Sequence, residues 1–432
     1  MTELLIKGVT LVTGEDDHPN ALPAGGQDIL IKNGRYADPV DAGADAEVFD
    51  ADGLTAIPGL IDLHTHLREP GREDAETVES GTRAAARGGF AAVLAMANTD
   101  PVTDTAEAAA YIRTLGQRAG NTQVFPIGAV TKGLAGAELA ELGLMARGGV
   151  RMFSDDGHCV SDSRLMRRAL EYVRAFDGVI AQHSQDPLLA GKGACCHEGE
   201  ISGRLGLTGW PSAAEATVIA RDAELTKLTN SRLHVCHVST AESVDVLRWA
   251  KKRGIDITAE VTPHHLLLTT AELQSYDPTY KVNPPLRPDE DVAALREALA
   301  DGTIDAVATD HAPHARHDKE HAFSDAAFGM VGLETALGVV IETMINTGAM
   351  DWDALVQRTS IAPGRIARLG SDLGVRPVLG QSAQLTVIDP QQRSTVDAAE
   401  SLSLSRNNPW HNRELPDPVR LTISSGEVSY RR

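Results

Sequence analysis

The chain has 432 residues, of which 42% are hydrophobic and 23% charged, values typical of globular proteins rather than disordered or fibrous ones. Its 40 Lys and Arg face 60 Asp and Glu, and the resulting formal charge of −20 argues against nucleic-acid binding and polybasic membrane binding. An anionic substrate would therefore need a locally positive pocket.

The first 55 residues and residues 371–432 contain short alternating apolar runs broken by Gly and Asn, which predict β-strands. Residues 56–370 differ, because short apolar runs there alternate with Ala-rich stretches of helical length. This alternation is typical of βα units and a parallel sheet. The sequence predicts an α/β fold: a (β/α)₈ TIM-like barrel over 56–370, and a small β domain built from 1–55 and 371–432.

Eight apolar runs are the candidate barrel strands. They span 56–64, 91–97, 122–130, 149–154, 179–183, 233–237, 257–262 and 304–310. Helices are predicted between most of them, at 75–89, 105–120, 163–176, 212–228, 241–254 and 289–302.

Five of these eight strands finish on, or just before, a His or an Asp. In a (β/α)₈ barrel the reacting groups lie at the carboxyl ends of the strands, so these side chains should meet. A single His at a strand end is more often a structural hydrogen-bonding group, and an Asp before a Gly is usually a turn residue. Six such residues together favour a functional site: His64, His66, Asp156, His183, His237 and Asp310.

His64 and His66 form an H-x-H pair, and residues i and i+2 of a strand project from the same face. Both imidazoles can therefore bind one metal ion. Four His and two Asp exceed the needs of one tetrahedral ion and predict a two-metal site. A carboxylate and a hydroxide would bridge the ions, and this donor set favours Zn²⁺.

Such a site predicts hydrolysis or formation of an amide. Metal ions lower the pKa of bound water, so that a bridging hydroxide can attack a polarised amide carbonyl. A neighbouring carboxylate can take the proton and pass it to the leaving nitrogen. Asp310, at the end of the last predicted strand, is placed for this general acid/base role and for metal binding.

The chain resembles class I dihydroorotases of the amidohydrolase superfamily between about residues 50 and 370. The resemblance rests on PGLIDLHTHLREPG, FSDDG, HEGEISGRLGLTGWP, TPHHLLLT, KVNPPLR, TDHAPHARHDKE and FGMVGLET, which keep the family order. It implies the reversible cyclisation of N-carbamoyl-L-aspartate to L-dihydroorotate and water, a step of pyrimidine biosynthesis. One departure is Ala327, where the family typically has Pro, and this puts the rigidity of that loop in question.

The resemblance also implies residue roles and two Zn²⁺ per subunit. His64 and His66 would bind one zinc with Asp310, and His183 and His237 the second. Asp156 would bridge them, chosen over Asp155 from its spacing to His64, and Asp310 would be the general acid/base. Substrate contacts would come from His66, Arg68, Asn98, Asn283, His314, Phe328 and Gly329.

Partners and location follow in the same way. The resemblance implies a homodimer and allows association with aspartate transcarbamoylase. The four cysteines form no disulfide-scaffold pattern, and the N-terminus lacks a signal-peptide pattern. No run of 18 apolar residues occurs. We therefore expect a cytoplasmic protein that binds neither nucleic acid nor membrane.

Two alternatives remain open. A hydantoinase, dihydropyrimidinase or allantoinase would usually bridge its metals with a carboxylated Lys, but the GVRMFSDDG segment offers Asp and no Lys, and these enzymes lack the Arg of HLREP. An inactive dihydroorotase-like scaffold for aspartate transcarbamoylase should have lost metal ligands, whereas this chain keeps all six. Both features favour an active dihydroorotase.

Overall fold

The computed structural model describes residues 3–14 and 21–432. Helices and strands alternate along most of this part of the chain, so the structure is mixed α/β, as predicted. The predicted terminal β segment 1–55 also includes residues 1–2 and 15–20, which lie outside the described residues.

Eight short strands with parallel pairing run through the middle of the chain. They are Leu60–Thr65, Phe90–Ala95, Gln123–Pro126, Met152–Phe153, Val179–Gln182, Leu233–Val235, Ile257–Val261 and Ala306–Val307. Each overlaps one of the eight segments predicted from the sequence. Their residues are almost entirely buried, which is why the strands read as continuous apolar runs rather than as alternating ones.

These strands follow one another in a continuous order. The first three pair in sequence, and so do the last five. Isolated parallel bridges connect the two groups on both sides, one between Gly128 and Phe153 and the other between Thr65 and His311. Because neighbouring strands are parallel, their carboxyl ends lie at one edge, where the predicted site residues should meet.

Helices lie between successive strands of this parallel set. They are Val78–Arg87, Ala106–Ala119, Leu142–Arg147, Ser163–Val173, Ala213–Thr229, Ala241–Lys252 and Asp289–Asp301. Thr77, Thr105 and Thr240 cap three of these helices, because each hydroxyl accepts a hydrogen bond from the third backbone N–H of its helix. The caps fix where the helices begin.

Further helical segments lie in the loops and after the last parallel strand. The loop helices are Pro187–Ala190, Glu200–Leu205 and Arg316–Lys319. The later ones are Ala336–Val340, Trp352–Val356 and Ala362–Ala367, with π-helical turns at Ile341–Ile345 and Gln357–Ile361. Short 3₁₀ turns occur at Pro39–Asp41, Lys132–Leu134, Arg174–Phe176, His264–Leu266, Thr270–Ser275, Pro278–Tyr280 and Ala398–Glu400.

Strands from both ends of the chain share one mixed sheet. Its members are Leu4–Leu11, Gly25–Lys32, Arg35–Ala37, Glu47–Asp50, Thr55–Pro58, Leu385–Ile388, Val419–Ser424 and Glu427–Arg431. The ends meet where Thr55–Pro58 pairs with Leu4–Leu11 on one side and Leu385–Ile388 on the other. Two small sheets pair Cys196–His197 with Gly209–Trp210, and Arg393–Thr395 with Glu414–Pro416.

The strand predicted at 56–64 is two strands in the structure. Thr55–Pro58 belongs to the mixed terminal sheet, and Leu60–Thr65 begins the parallel set. The chain passes between them at Gly59, where an added Cβ would lie only 2.5 Å from the Cβ of Ala91. The apolar run is unbroken, so its pattern alone does not reveal the change of sheet.

One segment beyond residue 370 lies against the carboxyl-end loops of the parallel strands. We call Ser401–Asn407 the C-terminal strap. The backbone N–H of Leu402 donates to Glu334 over 3.0 Å, and that of Leu404 donates to Glu76 over 3.1 Å. The strap ends at Asn407, whose side-chain amide donates to the carbonyl of Ala312. Hydrogen bonds therefore connect this late segment to the edge that carries the predicted site.

Candidate metal centre and substrate pocket

The six predicted metal ligands meet in one buried cluster. They come from five strands: His64 is the penultimate residue of the first, His66 follows that strand, and Asp156, His183, His237 and Asp310 follow the fourth, fifth, sixth and eighth. None exposes more than 5% of its surface. Side chains that are far apart in sequence therefore share one site.

Asp156 lies at the centre of this cluster. Its Oδ1 is 3.3 Å from His64 Nε2, from His183 Nδ1 and from His237 Nε2. Its Oδ2 is 3.4 Å from His66 Nε2. One carboxylate thus faces imidazoles from both predicted ligand groups, the arrangement that a bridging ligand requires.

The neighbouring Asp155 has a different environment. Its Oδ1 accepts hydrogen bonds from the backbone N–H groups of Val130 and Thr131, at 2.8 and 2.9 Å, and the Thr131 hydroxyl donates to its Oδ2. Its carboxylate is therefore occupied by structural hydrogen bonds. This geometry favours Asp156 over Asp155 as the bridging residue.

Asp310 reaches the first pair of imidazoles from the last strand. Its Oδ1 is 3.1 Å from His66 Nε2 and 3.5 Å from His64 Nε2. The carboxylate is thus close enough to share a cation with His64 and His66, and close enough to the cluster to exchange a proton with a group bound there.

Electrostatics keep both aspartates ionised. Burial disfavours the charged imidazole of His64, but Asp156 and Asp310 raise its pKa well above the ordinary value. Burial likewise opposes ionisation of Asp156 and Asp310, yet His64 and the other facing imidazoles lower the pKa of both carboxyls. The cluster is therefore a buried, negatively charged acceptor set that attracts a cation.

The donor atoms fit a pair of metal ions. His64, His66 and Asp156 place one ligand atom each within 4.8 Å of one another, and so do Asp156, His183 and His237. His64 Nε2 is buried without a hydrogen bond among the described residues, as expected of an atom that coordinates a metal. Imidazole and carboxylate donors suit Zn²⁺.

Three of the imidazoles are oriented by a second hydrogen bond. His64 Nδ1 is 2.8 Å from Glu260 Oε1, and His66 Nδ1 is 2.9 Å from Asn98 Oδ1. His183 Nε2 is 2.9 Å from the side-chain oxygen of Gln185. Because these oxygens accept the ring proton, the other nitrogen of each ring presents its lone pair to the cluster.

Glu260 was not among the predicted site residues. Its second oxygen is 3.0 Å from His234 Nε2, and His234 Nδ1 is 2.9 Å from the hydroxyl of Thr258. Burial opposes ionisation of Glu260, but hydrogen bonds from His234 and His64 lower its pKa to about 2. The only sequence signal was an acidic residue inside the apolar strand ITAEV.

Arg68 lies beside the cluster in a half-buried position. Its Nε donates to the carbonyl of Pro313 over 3.0 Å, and its Nη2 is 3.4 Å from His314 Nε2. Burial lowers the pKa of the guanidinium to about 10, so it remains cationic at neutral pH. It is thus a local positive charge in an acidic protein.

The other predicted substrate residues differ in what they contact. His314 Nε2 donates to the carbonyl of Phe328 over 2.7 Å, and burial lowers the pKa of this imidazole to about 3. The backbone N–H of Gly329 donates to the backbone carbonyl of Lys281. Asn283 Oδ1 is buried with no hydrogen-bond partner among the described residues, so it can accept a hydrogen bond from a ligand.

Three residues of the site have left-handed backbone conformations that side chains rarely adopt. The φ angles are 61° for Arg68, 33° for His237 and 47° for Asp310. Such conformations cost of order 1–3 kcal/mol each and persist where the surrounding structure enforces them. They direct these three side chains away from the ordinary course of a strand.

Comparison with known proteins identifies the family. Residues 53–243 match the family model described as Dihydro-orotase-like. The chain is 55% identical to the dihydroorotase of Streptomyces coelicolor, over 99% of this chain and 98% of that relative. The chain belongs to the dihydroorotase family. The dihydroorotase of Mycobacterium tuberculosis is 52% identical to it, over 94% of this chain and 95% of the relative. The predicted family and dihydroorotase activity are thus confirmed.

Solved structures show where the fold recurs. The dihydropyrimidinase of Brevibacillus agri NCHU1002 superposes with a TM-score of 0.85 at 21% identity, covering 100% of this chain and 95% of that one. The L-hydantoinase (dihydropyrimidinase) of Arthrobacter aurescens superposes with a TM-score of 0.84 at 24% identity, covering 100% of this chain and 96% of that one. At these identities the likeness concerns the fold alone, so the rival hydantoinase function gains no support from it.

We also examined the helices of the described residues for segments that could cross a membrane. None of the helices in residues 3–14 and 21–432 combines the length and apolar character that a membrane span requires.

Proposed function

We propose that this dihydroorotase catalyses the reversible, zinc-dependent cyclisation of N-carbamoyl-L-aspartate to L-dihydroorotate and water. One observation carries the proposal: four imidazoles surround Asp156, and Asp310 faces two of them, in a chain 55% identical to a dihydroorotase. The alternative of an inactive scaffold is disfavoured because the full donor set meets in one place.

Two zinc ions per chain would be held by the six-residue cluster. His64, His66 and Asp310 would hold one ion, His183 and His237 the other, and Asp156 both. When bound, zinc makes hydroxide available at neutral pH and polarises the amide carbonyl.

Asp310 would move the proton in both directions. In hydrolysis its carboxylate would accept the proton that the attacking hydroxide releases as it adds to the ring carbonyl. Asp310 would then donate that proton to the departing amide nitrogen. The lowered pKa of Asp310 keeps it ionised before the reaction, as a general base requires. The same steps in reverse close the ring.

The substrate carboxylate would bind to Arg68, whose guanidinium can pair with it bidentately. His66, Asn98, Asn283, His314 and the Phe328–Gly329 backbone would complete the pocket. We expect Arg68→Ala to raise KM for dihydroorotate by about 10–100-fold, since a charge-assisted pair contributes about 1.5–3 kcal/mol. Steady-state kinetics measure this, and an unchanged KM would show that Arg68 does not bind the carboxylate.

The parallel strands would form a closed (β/α)₈ barrel over residues 56–370, accompanied by a small β domain from 1–55 and 371–432. The bridge between Thr65 and His311 supports closure. So does Asp62, which accepts hydrogen bonds from the backbone N–H and hydroxyl of Thr309 at 3.0 and 2.5 Å. A homodimer, association with aspartate transcarbamoylase and a cytoplasmic location stay predictions from the sequence.

One preparation can test the reaction. We expect the purified protein to hydrolyse dihydroorotate in preference to hydantoin and allantoin, and to contain about two zinc ions per chain by elemental analysis. Preference for hydantoin or allantoin would overturn the substrate assignment. Absence of bound zinc together with absence of activity would favour the scaffold.

A further inference from the structure

The segment Ala327–Gly329 is held through its backbone as well as by the Phe328 ring, which contacts the Lys281 ammonium and the Trp210 ring. Three side chains donate hydrogen bonds to its carbonyl groups. Lys319 donates to the carbonyls of Ala327 and Gly329. His314 donates to the carbonyl of Phe328, and Asn407 also donates to the carbonyl of Gly329. The backbone N–H of Ala327 donates to the backbone carbonyl of Asp318, and the backbone N–H of Gly329 donates to the backbone carbonyl of Lys281. Among the described residues this leaves the N–H of Phe328 as the segment's one backbone group without a hydrogen bond.

Lys319 binds this segment with a buried ammonium group. The residue is only 9% exposed, and its Nζ donates to the carbonyls of Ala327 over 2.8 Å, Gly329 over 3.0 Å and Lys281 over 3.3 Å. No carboxylate pairs with it among the described residues. Burying a cation is costly unless its donors are satisfied, and here three N–H groups meet three carbonyls.

Asn407 holds the same segment from the other side. This residue, at the end of the C-terminal strap, donates from Nδ2 to the carbonyls of Ala312 over 2.9 Å and Gly329 over 3.1 Å. Its Oδ1 accepts the backbone N–H of His314 over 3.2 Å. One buried amide therefore ties the loop after Asp310 to the segment that carries Phe328 and Gly329.

Space around Gly329 is too tight for that segment to shift toward the loop after Asp310. An added Cβ on Gly329 would lie 2.7 Å from Ala312 Cβ and 3.0 Å from His314 Nε2, and its φ of 137° suits glycine. Lys319 and Asn407 therefore act on a close contact between two loops rather than on a free surface turn.

We infer that Lys319 and Asn407 are positioning residues that form a clamp on Ala327–Gly329 and so set the distance between Phe328, Gly329 and His314. The inference rests on the proposed function, because it assumes that these three residues contact the substrate. Neither clamp residue needs to touch the substrate itself. The clamp would keep the Phe328 N–H and the His314 ring in one arrangement before substrate arrives.

A role in positioning predicts a specific kinetic change. Loosening a pre-formed binding surface weakens substrate and transition state alike, which raises KM while kcat is kept. A merely structural role would lower the melting temperature and the yield of active enzyme without changing KM. The split between KM and kcat therefore separates the two roles.

The test compares two variants with two controls in the zinc-loaded enzyme. Lys319→Met keeps the length of the side chain and removes its charge, and Asn407→Asp removes both donated hydrogen bonds but keeps Oδ1. Arg316→Met lies on the same short helix with an exposed side chain, and Asn412→Asp makes the same amide change at an exposed position. Burial and the Lys281 cation lower the pKa of Lys319 to about 7, so kinetics are measured near pH 6, where it is protonated.

We expect Lys319→Met and Asn407→Asp each to raise KM for dihydroorotate by about tenfold with kcat within about twofold, while both controls match the wild type. Lys319→Arg, which keeps a cation, should recover part of the affinity. If Lys319→Met does not fold, Asn407→Asp decides alone, since it alters a single atom. A KM within twofold of the wild type for Asn407→Asp would overturn the clamp. A wild type that does not hydrolyse dihydroorotate would instead overturn the proposed function.

Discussion

Asp156 shows how far single residues can be assigned from the sequence. The six ligand candidates were identifiable because each follows an apolar strand, and parallel strands bring their ends together. Asp155 and Asp156 were harder to distinguish, since both follow the same strand. The structure separates them because Thr131 satisfies Asp155, and that contact depends on a loop whose conformation the sequence pattern does not reveal.

Glu260 was missed for a different reason. It lies within a buried strand, two residues before the TPHHLLLT segment, and its hydrogen bonds to His64 and His234 become evident only in the structure. Hydrogen bonds between side chains from different strands depend on register, which a single sequence does not specify.

At Asp310, removal of the carboxylate should abolish turnover. We expect Asp310→Ala to lower kcat for dihydroorotate at least about 100-fold, because both a metal donor and the proton carrier are lost. Asp325→Asn, an exposed change in the following loop, serves as the control. Wild-type kcat in Asp310→Ala would exclude the general acid/base role.

Glu260 should act on metal affinity. Loss of a carboxylate that orients a metal-binding His typically weakens metal binding about 10–100-fold, so Glu260→Gln should release zinc at correspondingly lower chelator concentration. Competition with a chromogenic chelator measures this directly. Glu297→Gln, on the exposed side of a helix, should behave as wild type. Equal zinc retention in both variants would contradict the role of Glu260.

Among the elements, the C-terminal strap was the least predictable. Its sequence, SLSLSRN, alternates Ser and Leu as a strand would and falls in the predicted terminal β domain, but the structure exposes Leu404 and buries Ser403. Its conformation is decided by distant partners, chiefly Glu76, Glu334 and Ala312. The parallel strands and their helices were predictable because their apolar periodicity is local.

Glu76 holds the strap against the helix Val78–Arg87. The hydroxyls of Ser80 and Ser403 and the N–H of Leu404 donate to its carboxylate, and His311 Nε2 lies 3.3 Å away. Burial opposes ionisation of Glu76, but His311 and these donors lower its pKa below the ordinary 4.5. Its stabilising contribution is therefore present above about pH 4.5 and is lost as the pH falls below that value.

This predicts a pH-dependent difference between two proteins. At pH 7 the free energy of unfolding of Glu76→Gln should be about 1–3 kcal/mol lower than that of the wild type. This difference should shrink as the pH falls below about 4.5. Urea denaturation at several pH values measures it. A difference that stays constant down to pH 3 would show that the charge of Glu76 contributes nothing.

For the molecule as a whole, charge and site are complementary. The chain carries a formal charge of −20, and its buried cluster contains two ionised aspartates that face His64, with the Arg68 guanidinium close by. Metal ions would neutralise that cluster, so binding and folding should be coupled. Fold class and family could be predicted from motif order, whereas the contacts of the strap with Glu76 and Ala312 could not, because no motif marks them.

Removal of the metal should therefore weaken the whole protein. We expect prolonged chelation to abolish dihydroorotate hydrolysis and to lower the melting temperature by several degrees, since a ligand at 100 times its Kd adds about 2.7 kcal/mol. Added zinc should restore both. A melting temperature indifferent to the chelator, with zinc shown to be gone, would contradict this coupling.

The strap also has a consequence for biosynthesis. Ser403 donates to Glu76, which lies 327 residues earlier in the chain, and Asn407 donates to the carbonyl of Gly329 in the proposed substrate pocket. Prematurely terminated or C-terminally clipped products would lack these contacts even with every zinc ligand present. We therefore expect a chain that lacks the strap to lose activity although it keeps all six proposed zinc ligands.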